Sequence, residues 1–572
     1  MEAKHGYKLV VGVDYGTTFT EIAYVLTTHA GGQADIDSID FIKQWPPDII
    51  GQAKTPSLIS YMQDGGAPLW GFEVTQDVRS YAWTKLLLDA NFPSSSKFDD
   101  TFLKIATASK ILELPDQKEA VDTVQDYLSQ IYTHIQSYIS AELGLGGVPI
   151  DFWFTTPASW SEETQNLMRQ AIQGAGFGKR PQHRVWTIPE PEAAALAVFS
   201  DKRVSFEPRD GILICDCGGG TVDITTYYVT DVDPTISLEQ ITTVMGANCG
   251  GTAIDSRFYE LLSTRVEGGF DSLSLSEIRP GSRAMKKFER IKTHFNGATS
   301  QSWHFDFNLN SQSPSQRRGR VVLQAEDVRD LYEPVLRNIF DLILSQITAA
   351  NEKCRRHVIK KVVLVGGFSA SSYLQESLRS ALNRIGISVL IPENPEEAIA
   401  RGAAVQGLRG YSLPTYKCWR NYGLASFQSF SHPNEPQFLG YGPSALSVNL
   451  LPCWVLRKDQ NYPKGFQSTH SIQVLHWEHD LLTKPVEIYE SNLSDAPERF
   501  ENSDAHCIDY IQCHFDHLDL ASFPHRTIAG HTVYYLELLI QVSVSMTDRV
   551  INFSAFANGN VIGQKDLVMA HD

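Results

Sequence analysis

No stretch of this 572-residue chain is apolar over the roughly 20 residues that a membrane helix needs, and the opening MEAKHGYKLVVGV has no long hydrophobic segment ahead of its first strand-like run. A membrane partner and a secretory leader are therefore not expected, and the chain reads as cytoplasmic. Positive charge is also scarce. Lys and Arg number 49 against 66 Asp and Glu, a net charge of -17, with no long basic or acidic block. Nucleic acid needs a clustered positive surface, so that partner class is set aside. Cysteine is sparse, eight residues scattered over the whole length, which excludes a disulfide scaffold and reads as reduced thiols. The grouping nearest to a metal cluster, His506, Cys507, Cys513, His514 and His517, matches no standard zinc spacing. Low-complexity tracts are missing too. With 42% hydrophobic and 20% charged residues the chain has enough apolar material to fold, and its length predicts two or three domains.

What is present is a repeat. LVVGVDYGTTFTEIAYV at residues 9–25 and ILICDCGGGTVDITTYYV at 212–229 share one plan, an apolar β-rich run, a polar turn with Asp, Gly and Thr, and a second β-rich run. Each predicts a β-hairpin. Gly16, and Gly218, Gly219 and Gly220 in the second copy, let bare backbone approach a ligand, so that N–H groups converge on an anion. Thr17, Thr18 and Thr221 add hydroxyl donors. Asp14, Asp216 and Asp223 repel phosphate directly and make sense only beside Mg2+ or its waters. One such turn is ordinary hairpin chemistry; two copies point to a shared anionic ligand or a gene duplication.

Three further segments carry signals. KKVVLVGGFSASSYLQESLRSAL at 360–382 predicts a strand, a turn at Gly366 and Gly367, and an amphipathic helix with Leu374, Leu378 and Leu382 inside. It is either a ligand junction or a tight strand-to-helix turn. VWTIPEPEAAALAVF at 185–199 predicts a strand to Ile188, Glu190 held between Pro189 and Pro191, and an Ala-rich helix. Glu190 there suits water or Mg2+, or simply opens the helix. DFWFTTPASWSEETQNLMRQAIQGAGF at 151–177 predicts a strand, a turn at Pro157 and a helix capped by Ser161.

The order and spacing of VGVDYGTTFT, PEPEAAALA, CDCGGGTVDIT, VLVGGFSAS and ENPEEAIARGAAVQG resemble the 70-kDa heat-shock proteins, within the actin and sugar-kinase superfamily, over residues 9–410. The resemblance implies an α/β fold, a duplicated actin-like, ribonuclease H-like ATPase domain at 1–410. Lobe I spans about 1–200 and lobe II about 201–410, with Mg2+ and ATP or ADP between them. It implies that Asp14 and Asp216 organise the metal through water, that Glu190 positions the metal shell or attacking water, and that Thr17, Thr18 and Thr221 hold phosphates. Lys85, in SYAWTKLLLD, matches the family's catalytic lysine, and Gly250 and Gly251 match its Gly-Gly-x-x-Asp segment. Glu289 and Lys292 resemble the nucleoside-contacting helix. Departures are equally visible. Thr293 and Ala370 stand where the family's arginines sandwich adenine, and Phe368 replaces a small polar residue, either to stack on the base or to narrow the pocket.

After residue 410 the texture changes to short alternating strands, and 411–572 loosely resembles the β-sandwich peptide-binding domain of the same chaperones, without a lid. Such a domain holds an extended apolar peptide or unfolded client by main-chain hydrogen bonds and side-chain pockets. A generic β-sandwich is the alternative. The expected function is a slow, chaperone-like ATPase. A nucleotide-sensing scaffold without turnover is the second reading, and a small-molecule kinase of the same fold ranks below both.

Overall fold

The computed structural model describes residues 7–28, 36–62, 65–75, 77–89, 113–158, 160–201, 204–231, 237–266, 273, 275–298, 300–308, 318–409, 415–418, 420–427, 450–463, 466–500, 504–528, 530–545 and 550–568. Chain contacts divide it into two compact units, the first running to Tyr411 and the second from Ser412. The segment expected to hold the boundary and any linker, 410–414, lies outside the described residues, as do the last four residues.

In the first unit both predicted hairpins form. Strand Tyr7–Tyr15 pairs antiparallel with Phe19–Thr28, and Gly211–Cys217 pairs antiparallel with Val222–Asp231. Leu9, Val10, Val11 and Val13 are all buried, as are Ile212 to Cys215. Such runs are continuous and not alternating because both faces of each sheet are covered. Each hairpin grows by the same rule. Ile150–Thr156 joins the first strand in parallel and Arg184–Pro189 follows it; Ile359–Val365 and Ser388–Leu390 do the same beside Gly211–Cys217. Short strands Asp40–Phe41 and Ser237–Gln240 extend the opposite edges antiparallel. Two sheets of one strand order, separated by some 200 residues of chain, are the structural counterpart of the sequence repeat.

Two small-residue helices tie these sheets together. Glu190–Ser200 starts where Pro189 and Pro191 make the first turn inexpensive, and Ala398–Arg409 packs along it and across the Tyr7–Tyr15 strand. The approach is backbone to backbone. A Cβ at Gly402 would lie 1.7 Å from the Ala193 carbonyl oxygen, and one at Gly12 would lie 2.3 Å from that of Ala400. Gly402→Ala is therefore expected to cost about 1–3 kcal/mol or more, seen as a lower urea midpoint of the first unit's transition, because no flexible side chain can yield.

Among its described residues the second unit has strands and one short 3-10 turn but no α-helix. One sheet runs Leu450–Leu456, Asn421–Phe427, Thr483–Ser491, His506–His514, and the other Gln467–Trp477, His531–Ser545, Val550–Ala557, Asn560–Val568. Leu424, Ile488 and Ile511 from the first share a core with Ile472, Leu538, Ile540 and Phe553 from the second. Strand Val550–Ala557 alternates buried and part-buried residues, as a one-sided sheet requires. A register shift between Cys507 and Asp509 in strand His506–His514 breaks up the His506 to His517 grouping, carrying Cys507 out of phase with Cys513. Cys513 is buried in the core while Cys507 is exposed, and these five residues bring no three ligand atoms together. No helix among the described residues is long and apolar enough to cross a membrane.

Candidate functional site

The two hairpin tips are built alike and face each other. Gly16 N–H donates to Phe19 O at 2.9 Å, and Gly218 N–H donates to Thr221 O at 2.9 Å. A Cβ at Gly220 would lie 2.6 Å from Thr17 Oγ1, and one at Gly219 would lie 2.5 Å from Thr18 Oγ1. Only glycine lets the tips close to this distance. Behind the second tip stands the N-terminus of helix Gly251–Arg265. Gly250, Gly251 and Thr252 N–H donate to the carbonyls of Gly220, Gly218 and Gly219 at 3.1, 3.1 and 2.8 Å. Since the peptide is planar and trans, the N–H groups of Gly219, Gly220 and Thr221 are turned away from the helix, available to an anion. Gly366, at φ 87°, comes so close that a Cβ would lie 2.1 Å from Asp216 Oδ1.

Between the tips lies a small cavity of about 70 Å³. It is lined by Asp14, Gly16, Thr17, Thr18, Lys85, Glu190, Asp216, Gly218 to Thr221, Gly366 and Gly367. Lys85 Nζ donates to Glu190 Oε1 at 2.7 Å, and both side chains are buried. Thr155 donates to Asp14 Oδ1 at 2.6 Å. Asp216 Oδ1, by contrast, has no hydrogen-bond partner.

Loss of water dominates the electrostatics. It raises the carboxyls of Asp14 and Glu190, with Lys85 opposing, and it raises Asp216 well above the usual carboxylate range, with Glu190 and Asp223 adding to the effect. Asp223 is pushed up to about 7 by burial and then by Glu190. Burial alone would lower the Lys85 ammonium, but Glu190, Asp14 and Asp216 reverse this and hold it above the ordinary lysine value. The Lys85 ammonium thus stands among Glu190, Asp14 and Asp216, and Asp216 keeps an orphaned oxygen. An all-oxygen set with excess negative charge suits a hard divalent cation with its waters.

Other predicted residues stand outside this lining. Asp223 faces Asp216 across the hairpin, and Gly250 and Gly251 brace the second tip from behind. Glu289 lines an adjoining cavity of about 480 Å³, which shares Thr17, Thr18 and Lys54 with the first. Lys292 is buried and fully engaged, 2.8 and 2.9 Å from the Asp255 carboxylate and 2.7 Å from Glu289. Phe368 is 6% exposed; its ring lies beside Gly251 and 6.2 Å from the Tyr332 ring, a core position. Among the polar groups that line or support the cavity, Glu21, Lys54, Thr155 and Glu396 went unpredicted. Glu21 had a signal, because it opposes Asp14 as Asp223 opposes Asp216.

The family model described as Hsp70 protein matches residues 96–410, more than half of the chain. The matched span holds Glu190, the Asp216 to Asp223 hairpin and the Gly366–Gly367 turn; the first hairpin and Lys85 precede it. A glycine-lined pair of hairpins on two sheets of one order, together with this match, places the chain in the 70-kDa heat-shock protein family, with its actin-like ATPase fold.

Proposed function

We propose that this protein binds Mg-ATP between two actin-like lobes, with the phosphates between the two hairpin tips, and hydrolyses it slowly as a cytoplasmic, chaperone-like protein. The observation that carries the reading is the pair of glycine tips meeting over Lys85, Glu190, Asp14 and Asp216. Backbone N–H groups of Gly219, Gly220 and Thr221, with the hydroxyls of Thr17, Thr18 and Thr221, are the phosphate donors. Asp14, Asp216 and Glu190 would hold Mg2+ with its waters, which would neutralise charge on the phosphates. Lys85 adds a fixed positive charge at the terminal phosphate, where such charge is most effective in a dry site. Glu190, raised by burial, accepts a proton more readily than a free carboxylate and orients water.

The nucleoside end supports a weaker grip on the base. Thr293 is turned back on its own helix, donating to Glu289 O at 2.9 Å, and Phe368 occupies core space. Binding of ATP, GTP and inorganic triphosphate, each with Mg2+, is expected to agree within about tenfold by calorimetry, a 1.4 kcal/mol spread. A preference for ATP far beyond that range contradicts the weak-base reading. The same features favour a second reading, a nucleotide-dependent switch without turnover. Single-turnover hydrolysis of labelled ATP separates the two. A rate no faster than that of Asp216→Asn leaves only the switch.

For the second unit we propose a client site on the outward face of strand His531–Ser545. A depression there, lined by Phe523, Tyr535, Leu539 and Phe556, offers apolar contacts to an extended peptide.

A further inference from the structure

In the β-rich unit, we infer a second metal site, for a borderline divalent transition ion such as Zn2+, formed by Glu478, His479 and His531. Glu478 Oε1, His479 Nε2 and His531 Nδ1 make a triangle with sides of 2.9, 3.1 and 3.2 Å. Hydrogen bonding accounts for at most two of its three sides with linear geometry. An imidazole nitrogen has a single in-plane N–H or lone pair, so neither histidine can serve two partners some 60° apart. A central cation satisfies all three at once. Tetrahedral zinc, with bonds of about 2.0–2.1 Å, separates its ligand atoms by about 3.3 Å, close to the spacing found.

The backbone holds the ligands in place before any ion arrives. Glu478 and His479 are the central residues of a turn closed by Asp480 N–H donating to Trp477 O at 2.9 Å. The Asp480 carboxylate caps Trp477 N–H at 3.0 Å and is held by Lys484 at 2.8 Å. Glu478 N–H donates to Thr532 O at 3.0 Å, which extends the Gln467–Trp477 and His531–Ser545 pairing by one step and brings His531 alongside. Thr532 also bonds the Glu478 carboxylate, orienting it as outer partners of metal ligands do. Two imidazoles and one carboxylate select zinc, nickel or copper over Mg2+, so this site is chemically distinct from the all-oxygen cavity of the first unit. Three protein ligands leave a position for water or for a donor from another molecule.

The test is calorimetric titration of ZnCl2 into tag-free, chelator-stripped full-length protein with excess MgCl2 present, with Co2+ absorption as a reporter of tetrahedral geometry. One equivalent is expected to bind, with affinity falling at least about tenfold in His479→Ala and in His531→Ala at unchanged circular dichroism, and retained in Cys507→Ser and His517→Ala. No uptake by the wild type overturns the proposal. Equal uptake by the His479→Ala/His531→Ala double variant, or loss in Cys507→Ser, overturns it as well. If His531→Ala does not fold, His479→Ala decides, since that side chain is 65% exposed.

Discussion

Asp216→Asn is expected to abolish the thermal stabilisation that Mg-ATP gives the wild type, and at the same time to raise the melting temperature of the ligand-free chain at pH 8. The two effects have one origin. Asp216 is a buried carboxylate with an orphaned oxygen, held well above its ordinary pKa by lost hydration and by Glu190 and Asp223. Such a group destabilises the empty fold when ionised and is useful only once a cation neutralises it. Its removal relieves the one and forfeits the other. At a hundredfold excess over Kd the wild type gains about 2.7 kcal/mol from ligand, and the variant gains none.

The pH dependence follows from the sign of these shifts. Burial, and then Glu190, push the Asp223 carboxyl up to about 7 in the fold, well above the ordinary carboxylate range of the unfolded chain. Below about pH 4 both folded and unfolded forms are protonated and the cost vanishes; as pH rises from about 4 to 7 the unfolded chain releases its proton first, so stability falls. Asp216 acts in the same direction. The stability gain of Asp216→Asn over wild type, without ligand, is therefore expected to grow from pH 5 to pH 8. Scanning calorimetry with chelator present measures it. A constant difference, or an undiminished Mg-ATP shift in the variant, contradicts the site.

Lys85→Met is expected to be the most damaging single change in the cavity. It leaves Glu190 without the ammonium that stands 2.7 Å away, and loss of one partner from a buried pair costs about 3–5 kcal/mol. Adding Glu190→Gln should restore most of that stability, because the unpaired charge disappears with it. Hydrolysis is not restored. Single-turnover rates in both variants should lie about 10²–10³-fold below wild type, the usual loss when a preorganised charge is removed. Urea unfolding of both variants closes a double-mutant cycle on the pair. Wild-type stability in Lys85→Met would show that the 2.7 Å contact does not hold the cavity together.

Both hairpins were legible because strand pattern and turn chemistry are local. An apolar run, an Asp-x-Gly tip and a second run describe nearly the same residues that fold as Tyr7–Tyr15 with Phe19–Thr28, and as Gly211–Cys217 with Val222–Asp231. The start of the Glu190 helix was legible for the same reason, since proline fixes the backbone wherever it stands. Phe368 was not. The sequence allowed it to stack on a base or to narrow a pocket, and its burial beside Gly251 and Tyr332 depends on two elements distant along the chain. Thr155 belongs with Asp14 only because strand Ile150–Thr156 lies parallel to Tyr7–Tyr15. His479 and His531 meet only because strands Gln467–Trp477 and His531–Ser545 pair, and a separation of 52 residues leaves no local spacing to mark them.

The amino-acid sequence by itself determined where the glycine tips, their acids and the flanking strands would be, because sterics and hydrogen bonding act over a few residues. Tertiary structure alone decided which charges share one cavity, pairing Lys85 with Glu190 across 105 positions and leaving one Asp216 oxygen without a hydrogen bond. Coulomb energy and lost hydration depend on distance and burial in space, and neither quantity exists until the sheets have packed.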